Sequence, residues 1–72
     1  MKRSKVAILG GGSWGTTTAS VISRHCDTML WARDGQIVDE INQAHTNHRY
    51  LGDAALNAKL AATTDIGAAV NQ

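Results

Sequence analysis

The sequence predicts an α/β fold that is the first half of a doubly wound parallel sheet, truncated after three strand–helix pairs. Two observations predict this class: a short apolar run leads directly into glycines, and apolar runs then alternate with helical patterns. The order β-α-β-α-β-α implies parallel strands joined by right-handed crossovers. The length of 72 residues allows one small domain, and 43% hydrophobic against 18% charged residues is typical of a globular chain.

Three segments are predicted to be strands. Lys5 to Leu9 is a continuous apolar run of the kind found in strands that are covered on both faces. Thr28 to Ala32 is the second strand, and Lys59 to Thr63 is a weaker third one.

Three helices are predicted between and after these strands. The first runs from Ser13 to about Arg24, with an apolar side formed by Trp14, Thr18, Val21 and Ile22. The second runs from Gly35 to Ala44 behind Asp34 as its N-cap, with an apolar stripe of Ile37, Val38, Ile41 and Ala44. Residues 45–57 are polar and irregular, with Tyr50 and Leu51 as anchors, and a last helix starts at Ile66, capped by Thr64 or Asp65.

The turn between the first strand and the first helix carries the pattern Gly10-x-Gly12-x-x-Gly15. In a strand–turn–helix context this is the phosphate-binding turn of a Rossmann-type dinucleotide fold. Gly10 permits the tight turn, Gly12 lets a pyrophosphate approach the backbone, and Gly15 lets the helix pack closely on the sheet. The Ser13 hydroxyl and the Trp14 N–H are candidate phosphate donors, together with the N–H groups that begin the helix.

A phosphate loop of nucleotide triphosphatases is the competing interpretation of the same residues. That loop needs lysine directly after its last glycine, to reach the β- and γ-phosphates. Thr16 stands there instead, so hydrolysis of ATP or GTP is excluded.

The end of the second strand decides which dinucleotide is preferred. In this fold an acidic residue there binds the ribose 2′-hydroxyl of NAD, whereas a nearby arginine accommodates the 2′-phosphate of NADP. Arg33 and Asp34 stand side by side in this sequence. Arg33 can also stack on adenine, and Asp34 can be engaged in capping the next helix. NAD, NADP or both therefore remain open as cofactors, with NADP acceptance favoured.

Several stretches make the chain resemble NAD(P)-dependent glycerol-3-phosphate dehydrogenases. They are Val6 to Thr16 with its Gly-Ser-Trp-Gly element, Leu30-Trp31-Ala32-Arg33-Asp34, Glu40-Ile41-Asn42, Asn47 to Leu51, and Ala62 to Asp65. The resemblance implies reduction of dihydroxyacetone phosphate to glycerol 3-phosphate, which supplies phospholipid synthesis. It also implies that Ser13, Trp14 and Arg33 contact the dinucleotide, with Tyr50 close to that site. Two places depart from the family: His25 replaces a glycine, and Gly52 to Ala55 replaces a segment with prolines.

The family's catalytic lysines and substrate-phosphate ligands are expected beyond residue 72. Residues 1–72 are thus the N-terminal part of a dinucleotide-binding domain, without the catalytic domain and without a catalytic residue. The first strand is expected to lie on an open sheet edge, and one face of the sheet to be bare. We predict that the isolated chain is marginally stable, aggregation-prone or associated with a partner, either itself or the remainder of the enzyme. A stand-alone dinucleotide-binding module and a non-functional remnant are the alternatives.

Charge and composition exclude other classes of function. A formal net charge of +1 does not predict binding to nucleic acid, and no apolar run approaches a membrane span. The single cysteine, Cys26, predicts a reducing, cytoplasmic setting. His45 and His48, even with His25 or Cys26, match no zinc pattern, so no metal site is predicted.

Overall fold

The computed structural model describes residues 4–71, in which three strands alternate with four helices. Their order is β1 (Lys5–Leu9), α1 (Ser13–Ile22), β2 (Asp27–Trp31), α2 (Gly35–Ala44), α3 (His48–Leu51), β3 (Ala61–Thr63) and α4 (Ile66–Val70). The predicted order of strands and helices is confirmed. The short α3 is an addition, and it lies inside the stretch that was predicted to be irregular.

The strands form one parallel sheet in the order β1-β2-β3. Lys5 lies opposite Asp27 and Leu9 opposite Trp31, while Met29 pairs with Ala61 and Trp31 with Thr63. This is the strand order of the first half of a doubly wound sheet. The carboxyl ends of β1 and β2 lie side by side at the same end of the sheet, so the loops that follow them are close together.

The helix α1 buries a different side from the one predicted. Thr16, Ala19 and the following Ser23 are buried, whereas Trp14 is 86% exposed and Val21 58%. The physical reason is distance, because a helix that starts in the glycine turn lies too close to the sheet for large side chains. Small residues at helical spacing therefore face the strands, Trp14 and Val21 point outward, and the predicted Thr18 and Ile22 are half-buried.

The helix α2 follows the prediction more closely. Ile37, Val38 and Ile41 are buried, but Ala44 is exposed at the carboxyl end of the helix. These side chains pack with β2 and β3 and with two leucines of the loop before β3, forming a core of Ala19, Leu30, Ala32, Ile37, Val38, Ile41, Leu56, Leu60 and Ala62. Leu56 and Leu60 were not among the predicted anchors.

The expectation that one face of the sheet is bare is wrong. The five-residue α4 contacts all three strands, and Asp65 caps it by accepting from the Ala68 N–H. Its Ala69 is fully buried yet stands outside the core that α1 and α2 share, which places α4 on the opposite face. Met29, Trp31 and Ala61 are consequently half-buried. The first strand does lie at an edge of the sheet, as expected.

None of the helices between residues 4 and 71 is long and apolar enough to cross a membrane. The longest two, α1 and α2, have 10 residues each, and a span takes about 20.

Candidate functional site

A cavity of about 460 Å³ opens at the carboxyl ends of β1 and β2. Its floor is the glycine turn, and the segment that follows β2 forms one wall. The short helix α3 contributes Arg49 and Tyr50 to the lining. The lining residues are Gly10, Gly11, Gly12, Trp31, Ala32, Arg33, Asp34, Ile37, Arg49 and Tyr50.

The glycines of the turn meet different physical requirements. Gly10 has φ +127°, a backbone conformation that residues with a side chain rarely adopt. A Cβ on Gly15 would overlap the Gly10 carbonyl oxygen, so the helix can start this close only with glycine there. A Cβ on Gly11 would come within 2.9 Å of the Ala32 Cβ. Gly11 thus packs the turn against β2, a task that the spacing pattern did not assign.

Gly12 is required by none of its neighbours in the chain. Its φ is −74°, which any residue adopts, and a Cβ placed on it would meet no atom within 4 Å. Gly12 lines the cavity and is also the N-cap of α1, where no side chain caps the helix and the first turn has no acidic residue. The amino end of a helix favours an anion. The open space over Gly12 therefore fits a phosphate group that approaches the backbone.

The amino ends of α2 and α4 differ from that of α1, because an aspartate side chain caps each of them. The Asp34 carboxylate accepts the Gln36 N–H at 2.8 Å, as predicted for an N-cap, and Asp65 does the same for α4. The carboxylate of Asp34 also accepts from Arg49 Nη1 at 3.2 Å. The acidic residue at the end of β2 is thus engaged on both oxygens, while the exposed Arg33 lines the same cavity.

A buried asparagine holds the glycine turn to the loop before α3. Asn47 is fully buried, and its amide donates to the Gly11 carbonyl oxygen at 2.9 Å and to Thr16 Oγ1 at 3.0 Å. The Thr16 hydroxyl itself donates to the Gly11 oxygen at 3.2 Å. Thr16 therefore faces the interior and away from the cavity. Asn47 was not a predicted site residue, since a polar residue in an irregular loop gives no signal of burial.

The other predicted site residues, Ser13, Trp14 and Gly15, do not line this cavity. Ser13 and Trp14 begin α1 and line a second, smaller cavity of about 240 Å³ with Thr17 and Thr18. Gly15 lies beneath the turn, against Gly10. The structure thus brings Gly10, Gly12 and Arg33 to one cavity, while Ser13 and Trp14 line the second one. Tyr50, which the resemblance put close to the site, lines the main cavity.

His48 belongs to a different cluster. The side chain of His48 pairs with Glu40 through Nδ1 and with Asp53 at 3.0 Å through Nε2. The Thr46 hydroxyl and the His48 backbone and ring lower the pKa of Glu40, and hydrogen bonding to Glu40 raises the pKa of His48. Within residues 4–71, no group of three or more His, Cys, Asp or Glu residues is placed to hold a metal ion.

A parallel β-α-β unit with a glycine turn, an open anion position and a strand-end arginine defines a dinucleotide-binding domain of the Rossmann type. Comparison with known families is more specific. Residues 5–72 match the family model described as the NAD-dependent glycerol-3-phosphate dehydrogenase N-terminus. The chain belongs to this family and corresponds to its N-terminal NAD-binding region.

Individual relatives agree with the family assignment. The chain is 50% identical over 72 residues to a glycerol-3-phosphate dehydrogenase [NAD(P)+] from Mycolicibacterium paratuberculosis, covering 99% of the chain and 22% of the relative. It is 52% identical over 67 residues to one from Xanthomonas euvesicatoria, covering 92% and 20%. A crystal structure of the enzyme from Coxiella burnetii superposes with a TM-score of 0.82 at 37% identity, covering 97% of this chain and 22% of that one. The chain thus spans about a fifth of the length of these relatives.

Proposed function

We propose that the chain binds NAD or NADP in the cavity over the glycine turn, as the N-terminal part, residues 1–72, of the cofactor-binding domain of a glycerol-3-phosphate dehydrogenase. The observation that carries this proposal is Gly12. The protein itself leaves room for a side chain there, yet the residue is glycine, and the uncapped start of α1 faces the same space. A pyrophosphate that approaches the backbone accounts for both features.

The candidate contacts divide by the part of the dinucleotide that they meet. Gly10, Gly12 and Gly15 shape the turn, and the Ser13 hydroxyl and the Trp14 N–H donate to the pyrophosphate. Arg33 meets the adenosine end, where its guanidinium can stack on adenine or bind a 2′-phosphate. The bound nicotinamide supplies the hydride in the chemistry of this class of cofactor.

The reaction that we propose for the whole enzyme is hydride transfer between the cofactor and the pair dihydroxyacetone phosphate and glycerol 3-phosphate. The family assignment supports it. We assign no catalytic role to residues 1–72, and we propose that the remainder of the enzyme, or a second copy of the chain, is the protein partner. The single cysteine supports a cytoplasmic setting.

Titration with NADH and NADPH tests the proposal, with the fluorescence of Trp14 and Trp31 as the signal. Trp31 lines the cavity and Trp14 begins α1, so a bound dinucleotide should change the emission of both. Nicotinamide mononucleotide is the matched control, because it carries the nicotinamide half without the adenosine and the pyrophosphate that the proposed contacts meet. We expect saturable changes with both dinucleotides and weaker ones with the mononucleotide. No change up to millimolar cofactor would contradict the proposal and point to a remnant.

Turnover is a second, independent measurement. The purified chain should transfer no hydride from NADH to dihydroxyacetone phosphate. Clear turnover by this chain would overturn the assignment of catalysis to residues outside 1–72.

A further inference from the structure

The ion pair between Asp34 and Arg49 lies at the cavity wall where β2 ends. Asp34 Oδ1 accepts the Gln36 N–H at 2.8 Å, and its Oδ2 accepts from Arg49 Nη1 at 3.2 Å. In a Rossmann-type fold the acidic residue at this place accepts the ribose 2′-hydroxyl. Here that hydroxyl would have to share with a guanidinium the one oxygen that is not needed for capping α2.

The charges around this wall favour an anion over a neutral hydroxyl. Arg33, Asp34 and Arg49 line the same cavity, which makes two positive charges against one negative. Guanidinium groups bind phosphate oxygens through paired hydrogen bonds. A 2′-phosphate would thus meet the guanidinium groups of Arg33 and Arg49. The Asp34 carboxylate, which would repel the phosphate, is screened by its ion pair with Arg49.

The pair is also free to rearrange. The side chains of Arg49 and Asp34 are 63% and 35% exposed, and an ion pair of this kind is only weakly held. A guanidinium has five N–H donors, so Arg49 can shift toward a bound phosphate while it stays beside the carboxylate.

We propose that Arg49 is a specificity-determining residue of the cofactor site, one that screens Asp34 and supplies a second guanidinium to the 2′-phosphate of NADP(H). This inference rests on the proposed function, because it requires the dinucleotide to lie in this cavity. It assigns two effects of opposite sign to one side chain. Without Arg49, NADPH loses a charged hydrogen-bonding partner, whereas the 2′-hydroxyl of NADH gains access to Asp34.

The test is the ratio of the dissociation constants for NADPH and NADH, measured on the full chain by tryptophan fluorescence. Arg49→Gln should raise the constant for NADPH about tenfold, a typical effect of losing a charged hydrogen bond, and leave that for NADH unchanged or lower. Arg49→Lys keeps the charge but loses the fork, so the ratio should change less. Arg24→Gln is the matched control. Arg24 lies in the turn between α1 and β2, at the amino end of β2 and away from the cavity, so its replacement should not change the ratio.

The variant Asp34→Asn separates specificity from folding, since asparagine also caps helices well. In that background Arg49→Gln should no longer improve NADH binding, because the carboxylate that it uncovers is gone. Equal weakening of both cofactors by Arg49→Gln, or no effect on either, would overturn the inference and leave the proposed function standing. Failure of the unaltered chain to bind either dinucleotide would refute both.

Discussion

Glycines that look alike in the sequence meet different requirements in the structure. Gly10 is needed for its positive φ, and Gly15 for the contact with the Gly10 oxygen. Gly12 has an ordinary φ and open space where a side chain would lie. The first two are therefore required for folding, whereas the third suits an N-cap and leaves room for a ligand over the backbone.

Alanine at Gly12 and at Gly15 should separate these two requirements. Gly15→Ala forces α1 away from the turn, and overpacking of this kind costs about 1–3 kcal/mol of unfolding free energy. Gly12→Ala should cost less than about 1 kcal/mol, since only an N-cap preference is lost, but it should weaken dinucleotide binding about tenfold or more. Chemical denaturation and the NADH titration measure the two effects. A Gly12→Ala chain that binds as well as the unaltered one would contradict the assignment of the pyrophosphate to this turn.

The buried Asn47 is a second residue whose role can be tested. Its amide donates to the Gly11 oxygen and to Thr16 Oγ1, so Asn47→Ala should cost about 1–3 kcal/mol of unfolding free energy. Asn47→Asp should cost more, because a buried carboxylate would then face a carbonyl oxygen. Denaturation at neutral pH measures both. An Asn47→Asp chain as stable as the unaltered one would show that these hydrogen bonds do not hold the turn.

At the scale of elements, the short helix α3 forms one wall of the cavity and depends on α2 for its position. Glu40 of α2 accepts from the Thr46 hydroxyl at 2.6 Å and from the His48 backbone N–H at 2.8 Å. The His48 ring bridges Glu40 to Asp53 on the far side of α3. Arg49 and Tyr50 follow directly, so this polar cluster positions two residues of the cavity wall.

The cluster should make stability depend on pH. The contact with Glu40 raises the pKa of His48, so its contribution is complete below the unfolded value of about 6.5 and is lost as the pH rises through the folded pKa. The pKa of Glu40 is lowered, so its contribution is present above the ordinary value of 4.5 and is lost as the pH falls through the folded pKa. The cluster therefore stabilises the chain most at mildly acidic pH.

Thermal melting across this pH range is the measurement. The melting temperature should fall between pH 6 and pH 9, and Glu40→Gln should flatten that fall because the partner charge of His48 is removed. His25→Gln, in the turn after α1, is the matched control and should leave the slope as it is. An unchanged slope in Glu40→Gln would show that the pair does not contribute.

At the scale of the whole molecule, the sheet has β1 at one edge, next to exposed apolar side chains. Leu9 at the end of β1 is 57% exposed, and Ile66 and Val70 of α4 are 50% and 55% exposed. An edge strand beside apolar surface invites pairing with another chain. The helix α4, which packs on the second face, has only five residues and does not cover the β1 edge.

We therefore expect the isolated chain to associate, with a melting temperature that rises with protein concentration. Leu9→Lys should reduce the association, since a charge at a strand edge opposes pairing. Val21→Lys is the control, because Val21 is 58% exposed but belongs to α1 and not to the edge strand. Light scattering and melting over a wide range of concentrations measure both. A dilute monomer that melts cooperatively, at a temperature independent of concentration, would contradict the prediction.

Local patterns in the sequence by themselves determined the order of strands and helices, the glycine turn, the cap at Asp34 and the family. Each of these depends on neighbouring residues: an apolar run that ends at glycine, a helical period, a capping side chain followed by its helix. The boundaries accordingly agree with the structure to within about two residues.

Only the tertiary structure decided which side of α1 is buried, that α4 covers the second face, that Asn47 holds the glycine turn from beneath and that Arg49 lines the cavity. The bonds that decide these points join Asn47 to Gly11 and Arg49 to Asp34, far apart along the chain. Such pairs leave no periodic trace in the sequence, because they depend on where the sheet brings its loops together. The glycine turn could therefore be recognised as a local sequence motif, whereas the contribution of α3 to the cavity could be seen only in the folded structure.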